Sequence, residues 1–356
     1  MNSPQRLAVL ALIAALPIFA FACADDGAPA STPPPPTPTA SPAPTSSVTA
    51  TSSPTPSPTA TATVTSTVTP TVTATPDLTP TSPAGYPQTV KQADGESLVL
   101  TQPPARIVAL SAYATAVICA VGAGAQLAAV DLYANCPAGS KELPELDSFQ
   151  PSLEAIAGYD PDLVYVDSDN GGIVAALRDL QIPVLYLAIP DSIEDALQRI
   201  ELFSQVVGRP EEGAALLGDM RGRLEAVTGA IADVVTGPRI YHELDETLFS
   251  AGPASFVGDF YTVLKAENIA AAAADPYPQL TAEAILSANP EVIILADEPF
   301  GVTVESVTAR PGWADITAVK DGRICSVDPS LVSQPGPTIM EALESLATCL
   351  YPERFP

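Results

Sequence analysis

The feature that most constrains this chain is a phrase it uses twice. SLEAIAGYDPDLVYV begins at Ser152 and TAEAILSANPEVIIL at Thr281. Glu154, Ala155, Ile156 and Pro161 recur at one constant offset as Glu283, Ala284, Ile285 and Pro290. Asp162 is answered by Glu291, and Leu163-Val164 by Val292-Ile293. Each copy reads as a short capped helix followed by an apolar run, the pattern of a helix feeding a buried parallel strand. A second echo precedes each copy: ARIVAL from Ala105 and PRIYHEL from Pro238. The repetition predicts one helix–strand unit in each of two similar lobes.

The pattern around the phrases agrees. Folded structure is expected from about Tyr86, where TVKQADGESLVL reads as a hairpin turning at Asp94-Gly95. The apolar runs 106–110, 127–130, 162–166 and 183–188 then alternate with helical stretches Tyr113–Val121, Ser152–Gly158, Gly172–Leu180 and Ser192–Val207. That alternation predicts a parallel α/β sheet. It is interrupted by Pro210 to about Val235, which opens Pro-Glu-Glu. Apolar residues follow at Ala214, Leu217, Met220, Leu224, Val227 and Ile231, and the stretch closes at Gly237-Pro238. At ~1.5 Å per residue this is a rod of about 39 Å. Afterwards the alternation resumes, with strands at 239–244, 291–296 and 323–328 and helices Ser255–Lys265, Thr281–Ala288 and Pro337–Leu350. The expected division is an amino-terminal lobe at 86–209, an interlobe helix at 210–237 and a carboxyl-terminal lobe at 238–356: two Rossmann-like α/β lobes joined by one long helix.

The first residues are not domain material. Arg6 and the apolar run Leu7–Ala22 fit a signal peptide over 1–22. Ala20-Phe21-Ala22 suits ordinary signal peptidase, and Cys23 also suits lipoprotein processing. Cysteine arithmetic favours the lipid: of five cysteines, a lipidated Cys23 leaves Cys119, Cys136, Cys325 and Cys349 to pair. Four cysteines allow three connectivities, and 119–136 with 325–349 keeps each bridge within a lobe. Residues 23–85 form the expected tether, and from about Ala28 to Pro83 it is made of Pro, Thr, Ser, Ala and Val, which cannot build a core. As an extended stalk it would reach on the order of 190 Å. It reads as a wall-crossing stalk, O-glycosylated or not, or as a plain spacer.

Charge and histidine content exclude several function classes. The net charge is −26, with no basic stripe for phosphates, so nucleic acid is not an expected partner. A single histidine, His242, argues against a bare zinc or manganese site, and its place in a strand reads as core. No CxxC spacing, GxSxG, GxxxxGK[ST] or HExxH occurs. No catalytic residue, metal site or resident cofactor is therefore expected.

Taken in order, PPARIVALSAYAT, LEAIAGYDPDLV, the AENI segment, AEAILSANPEVII, ARPGWADITAVKDGRI and the closing helix resemble the substrate-binding proteins of ABC importers for metal chelates. The likeness runs from about Thr89 to Pro352. It implies the class III periplasmic binding protein architecture, with a ligand held between the lobes at the carboxyl ends of the strands. It also implies a role for the repeated glutamates: Glu154 and Glu283, one per lobe, pair with arginines of a permease dimer. The implied protein is extracytoplasmic, anchored to the membrane by lipid, and binds a corrinoid or ferric siderophore.

Candidates for lining the cleft follow the strand ends. In the first lobe they are Ser111, Tyr113, Tyr133, Asn135, Phe149, Asp169 and Asn170. In the second they are Asp245, Glu246, Phe249, Tyr277, Phe300, Ser333 and Gln334. Aromatics with amides and hydroxyls suit a large, near-neutral ligand, whereas an anionic catecholate wants an arginine cluster. Trp313 reads as packing. The rival readings are a surface-displayed ligand sensor or adhesin, and a cofactor-holding enzyme.

Overall fold

The computed structural model describes residues 85–134, 136 and 143–355. The signal segment, Cys23, the tether up to residue 84 and Asn135 lie outside the described residues. An antiparallel hairpin, β1 (Gln88–Lys91) and β2 (Ser97–Leu100), comes first. Gly95, at φ +91°, turns it, a conformation side chains with a Cβ rarely adopt. Tyr86 fixes the hairpin by donating its hydroxyl to the Val206 carbonyl at 2.7 Å.

The first lobe contains β3 (Ile107–Leu110), α1 (Ala112–Ala120), β4 (Leu127–Asp131), β5 (Glu145–Leu146) and α2 (Leu153–Ala157). It continues with β6 (Leu163–Val166), α3 (Ile173–Asp179), β7 (Val184–Tyr186) and α4 (Ile193–Val206). The second contains β8 (Arg239–Glu243), α6 (Phe256–Val263), β9 (Glu267–Asn268), α7 (Ala282–Ala288) and β10 (Val292–Leu295). It ends with α8 (Val304–Thr308), α9 (Thr317–Lys320), β11 (Ile324–Ser326), α10 (Pro329–Ser333) and α11 (Ile339–Leu350). Between the lobes runs α5, Pro210–Ala230.

Both sheets are parallel throughout. The first has the order β5-β4-β3-β6-β7 and the second β11-β10-β8-β9. β3, β6 and β10 are buried at every position, as strands covered on both faces must be. In each sheet the chain steps outward from its first strand and then returns to that strand's other side. The reversal falls between β3 and β6 in one lobe and between β8 and β10 in the other. The short strands β5 and β9 have no apolar run, and backbone pairing alone defines them.

The long helix is shorter than its apolar spacing predicts. The carbonyls at its end and just beyond are taken from outside: Arg354 donates to that of Ala230, and Lys265 to those of Ile231, Ala232 and Val234. With its end capped there, α5 is about 32 Å long. Leu217, Met220, Val227 and Ile231 are buried, whereas Ala214 is exposed and Gly213 takes the contact position. A Cβ at Gly213 would stand 2.2 Å from Ser204 Cβ, so α4 and α5 can meet this closely only without one. α11 packs on α5 as well, and Arg223 clamps Glu344 bidentately across that contact at 2.7 and 2.8 Å. One apolar core, including Tyr113, Phe203, Met220, Phe260 and Leu346, runs through both lobes and the helix. Across it, the α4 N–H of Ile193 donates to Asp259 of α6 at 2.8 Å.

The bridges Cys119–Cys136 and Cys325–Cys349 are both formed, each within one lobe. Among the described residues no helix is long and apolar enough to cross a membrane.

Candidate ligand-binding site

Open parallel sheets bind ligands outside the carboxyl ends of their strands, where the winding reverses. In the first lobe that edge carries Ser111 after β3, Asp131 ending β4 and Asp167 after β6. Ser111 caps α1, its hydroxyl accepting from the Ala114 N–H. Asp131 is 2 % exposed; one oxygen accepts from the Tyr133 N–H at 2.8 Å and the other has no partner among the described residues. Burial pushes the Asp167 carboxyl up to about 6; the Ser111 hydroxyl beside it works against the rise, and the Asp131 charge adds to it.

The second lobe repeats the theme. Glu243 ends β8, and Arg310 holds it with two bonds of 2.5 and 2.6 Å. The same guanidinium stacks over Trp313, 4.6 Å from the ring centroid. Asp297, just beyond β10, is 1 % exposed and neither oxygen has a partner among the described residues. Burial, and next the Glu243 charge, push its carboxyl up to about 7. Each reversal point therefore holds one carboxylate with a raised pKa.

Around these edges stand exposed aromatics. Tyr133 is 52 % exposed and Phe149 40 %, and the two meet edge to face with centroids 6.1 Å apart. Phe300, 70 % exposed, follows β10 in the other lobe. Asn170 is partly buried, donating to the Ser148 carbonyl at 2.9 Å, while Asp169 is exposed and caps α3 through the Val174 N–H. Asp245 accepts from the Thr247 N–H in a tight turn, and Glu246 is exposed. Phe249 and Tyr277 are half-buried, with Phe249 bridged to Gln279. Ser333 is exposed and Gln334 half-buried at the end of α10.

One expected cleft residue is displaced. Tyr113 is buried in the core, its hydroxyl 2.5 Å from that of Tyr165 and its ring edge-on to Phe203. The helix that follows β3 begins at Ala112, and its second residue turns inward. Missed altogether were Asp131, Asp167, Glu243, Arg310 and Asp297. The available signal was their position: each acid either ends a strand or follows it within two residues. His242 is buried, with Nδ1 against the Tyr261 hydroxyl, and burial lowers its pKa to about 3. It is a neutral core residue. Trp313 is packing too, 1 % exposed against Tyr241.

Glu154 and Glu283 occupy equivalent places: both are exposed and second in their helices. The hydroxyls of Ser152 and Thr281 cap those helices by accepting from Ala155 and Ala284 at 3.3 and 3.1 Å. A surface concavity of about 420 Å³ lies elsewhere, between the hairpin and the amino end of β7, lined by Gln92, Arg178 and Ile182 among others.

A match to the periplasmic binding protein family (Peripla_BP_2) spans residues 107–331, covering both sheets and the helix between them. The chain belongs to that family. Among family relatives, an uncharacterized ABC transporter substrate-binding lipoprotein of Bacillus subtilis, YvrC, is 27% identical over 278 residues, 76% of this chain and 87% of the relative. A cobalamin-binding protein of Halobacterium salinarum is 26% identical over 276 residues, 75% of this chain and 74% of that protein. The crystal structure of the periplasmic vitamin B12 binding protein BtuF of Vibrio cholerae superposes with a TM-score of 0.62. It is 25% identical and covers 71% of this chain and 99% of its own.

Proposed function

We propose that the protein is an extracytoplasmic substrate-binding lipoprotein that captures a corrinoid between its two lobes and delivers it to an ABC permease. The observation that carries the choice of ligand is the exposed aromatic trio Tyr133, Phe149 and Phe300, set at strand ends of both lobes. Broad apolar faces beside acceptor side chains suit a large macrocycle with amide arms. The cobalamin-binding relatives support the same reading. No described arginine stands ready for an anionic catecholate, since Arg310 is held by Glu243.

In this reading Cys23 bears the lipid, residues 1–22 direct export, and the segment up to residue 85 spaces the lobes from the membrane. The domain bounds 86–209, 210–237 and 238–356 serve as the working division. Glu154 and Glu283 dock on the two halves of a permease dimer, a two-fold partner for a chain with two equivalent glutamates. The protein holds and releases its ligand without chemistry.

A thermal-shift panel tests the ligand. Cobalamin or cobinamide at a hundredfold excess over Kd should stabilise the protein by about 2.7 kcal/mol. Tyr133→Ala and Phe300→Ala should weaken that shift without lowering the ligand-free melting temperature. Stabilisation by haem or a ferric catecholate alone would replace the corrinoid reading.

A further inference from the structure

Among the described residues the charges at the two reversal points do not balance, and the described cations are engaged elsewhere. Glu243 and Arg310 satisfy each other in a part-buried bidentate pair, and Asp297 beside them makes two carboxyls for one guanidinium. Asp131 and Asp167 stand close enough for the charge of one to raise the other, and among the described residues neither forms an ion pair.

The same holds for the rest of the described chain. Arg178, Arg199, Arg209, Arg221, Arg223, Arg239, Lys320 and Arg354 each pair with a carboxylate. Arg106, Lys265 and Arg323 donate to backbone carbonyls. Among the described residues only Lys91, on the hairpin, is left, and Arg6 and Lys141 lie outside them. Helix amino termini, which could otherwise welcome an anion at this edge, are closed by their own side chains: Ser111 caps α1, Asp169 bonds to α3, and Asp328 caps α10. A ligand entering here meets acceptors and negative charge from both sheets.

We infer that the cleft selects a ligand carrying net positive charge, and that Asp167 and Asp297, one from each lobe, are the groups that set this preference. The inference rests on the proposed cleft and goes beyond it by naming the charge of the cargo. Asp167 is partly exposed and acts at short range, whereas Asp297 is enclosed and acts through its field. Because both carboxyls sit with raised pKa values, a cation that arrives near neutral pH favours their ionised forms and displaces protons.

The test uses one macrocycle at three charges: aquacobalamin (cationic), cyanocobalamin (neutral) and a cyanocobalamin monocarboxylate (anionic), titrated calorimetrically into the full chain at low salt. Affinity should fall roughly tenfold at each step from cation to anion, with the steps shrinking at high salt. Titration of the cation in two buffers of different ionisation enthalpy should show proton release. Asp167→Asn with Asp297→Asn should flatten the series and abolish that release, while binding of the neutral corrinoid persists. Equal affinities for the three, or tightest binding of the anion, would overturn the inference. If no corrinoid binds, the corrinoid reading falls by itself. The ordering is then read on cationic ferrioxamine B against its anionic succinylated counterpart. Preference for the cation sustains the inference; no preference, or no binding of either, ends it.

Discussion

The carboxylate of Asp162 accepts the backbone N–H of Arg106 at 2.8 Å, and in the second lobe Glu291 accepts that of Arg239 at 2.9 Å. Each acid belongs to the repeated phrase, and each holds the first residue before, or of, the neighbouring strand. The backbone returns the contact: the N–H groups of Asp162 and Glu291 donate to the carbonyls of Arg106 and Arg239 at 3.0 and 2.8 Å. The acid shared by the two phrases thus sets where β3 and β8 begin pairing with β6 and β10.

Losing that acid should cost stability in either lobe. Asp162 also accepts from Ala105 at 2.7 Å, so it has two bonds to lose where Glu291 has one to backbone. Asp162→Ala is expected to cost about 1–2 kcal/mol and Glu291→Ala about 1 kcal/mol. Urea denaturation measures both, and parental stability in the two variants would show that the bonds contribute nothing.

The proposed docking role of Glu154 and Glu283 is separable from ligand capture, since both are exposed at helix starts. Glu154→Arg combined with Glu283→Arg should abolish uptake in cells and leave the affinity of the purified protein unchanged. Uptake at the parental rate would remove these residues from the permease interface.

Arg310→Ala leaves Glu243 buried without its counter-ion and should destabilise the protein by about 3–5 kcal/mol. Replacing both partners, with Arg310→Met and Glu243→Leu, should recover most of that loss, because the Glu243 charge is then no longer stranded. A double variant as unstable as the single one, in parallel thermal melts, would mean the pair's packing rather than its charge is what matters.

Asp297 and His242 should tilt the pH dependence of stability in opposite senses. Asp297 rises to about 7 on folding from an ordinary ~3.9, so between those values the folded state holds a proton the unfolded state has released. Its contribution is whole below about pH 4 and is lost as pH climbs through 7. His242 falls to about 3 from ~6.5, so its contribution is whole above pH 6.5 and is lost as pH drops. Asp297→Asn should lessen the decline toward pH 7, leaving the share that Asp167, raised to about 6, contributes in the same sense, and should leave the acid-side loss. Melting temperatures from pH 4 to 8 compare the two proteins; identical profiles would refute the Asp297 assignment.

Much of the fold is legible because burial writes itself into composition. RIVAL, DLVYV and EVIILA could only be strands covered on both faces, and the repeated phrase announced two lobes. Helix starts were equally plain: Ser152, Ser192, Ser255 and Thr281, the first residues of expected helices, each accept an N–H of the first turn. Other features carried no local mark. β5 and β9 are two residues long and exist by pairing. The end of α5 depends on Lys265 and Arg354, far away in the chain.

The site divides along the same line. The aromatics Tyr133, Phe149 and Phe300 could be placed from strand ends, while Tyr113 could not, because one helical step turned it from the edge into the core. By itself the sequence determined the α/β class, the duplication and the long intervening helix, since periodicity and apolar runs are properties of neighbours in the chain. Only the tertiary structure decided which charges are spent. Arg310 and Glu243, or Asp131 and Asp167, are brought together by strand order and burial, and whether a carboxylate is paired or left over depends on partners that lie far off in the sequence.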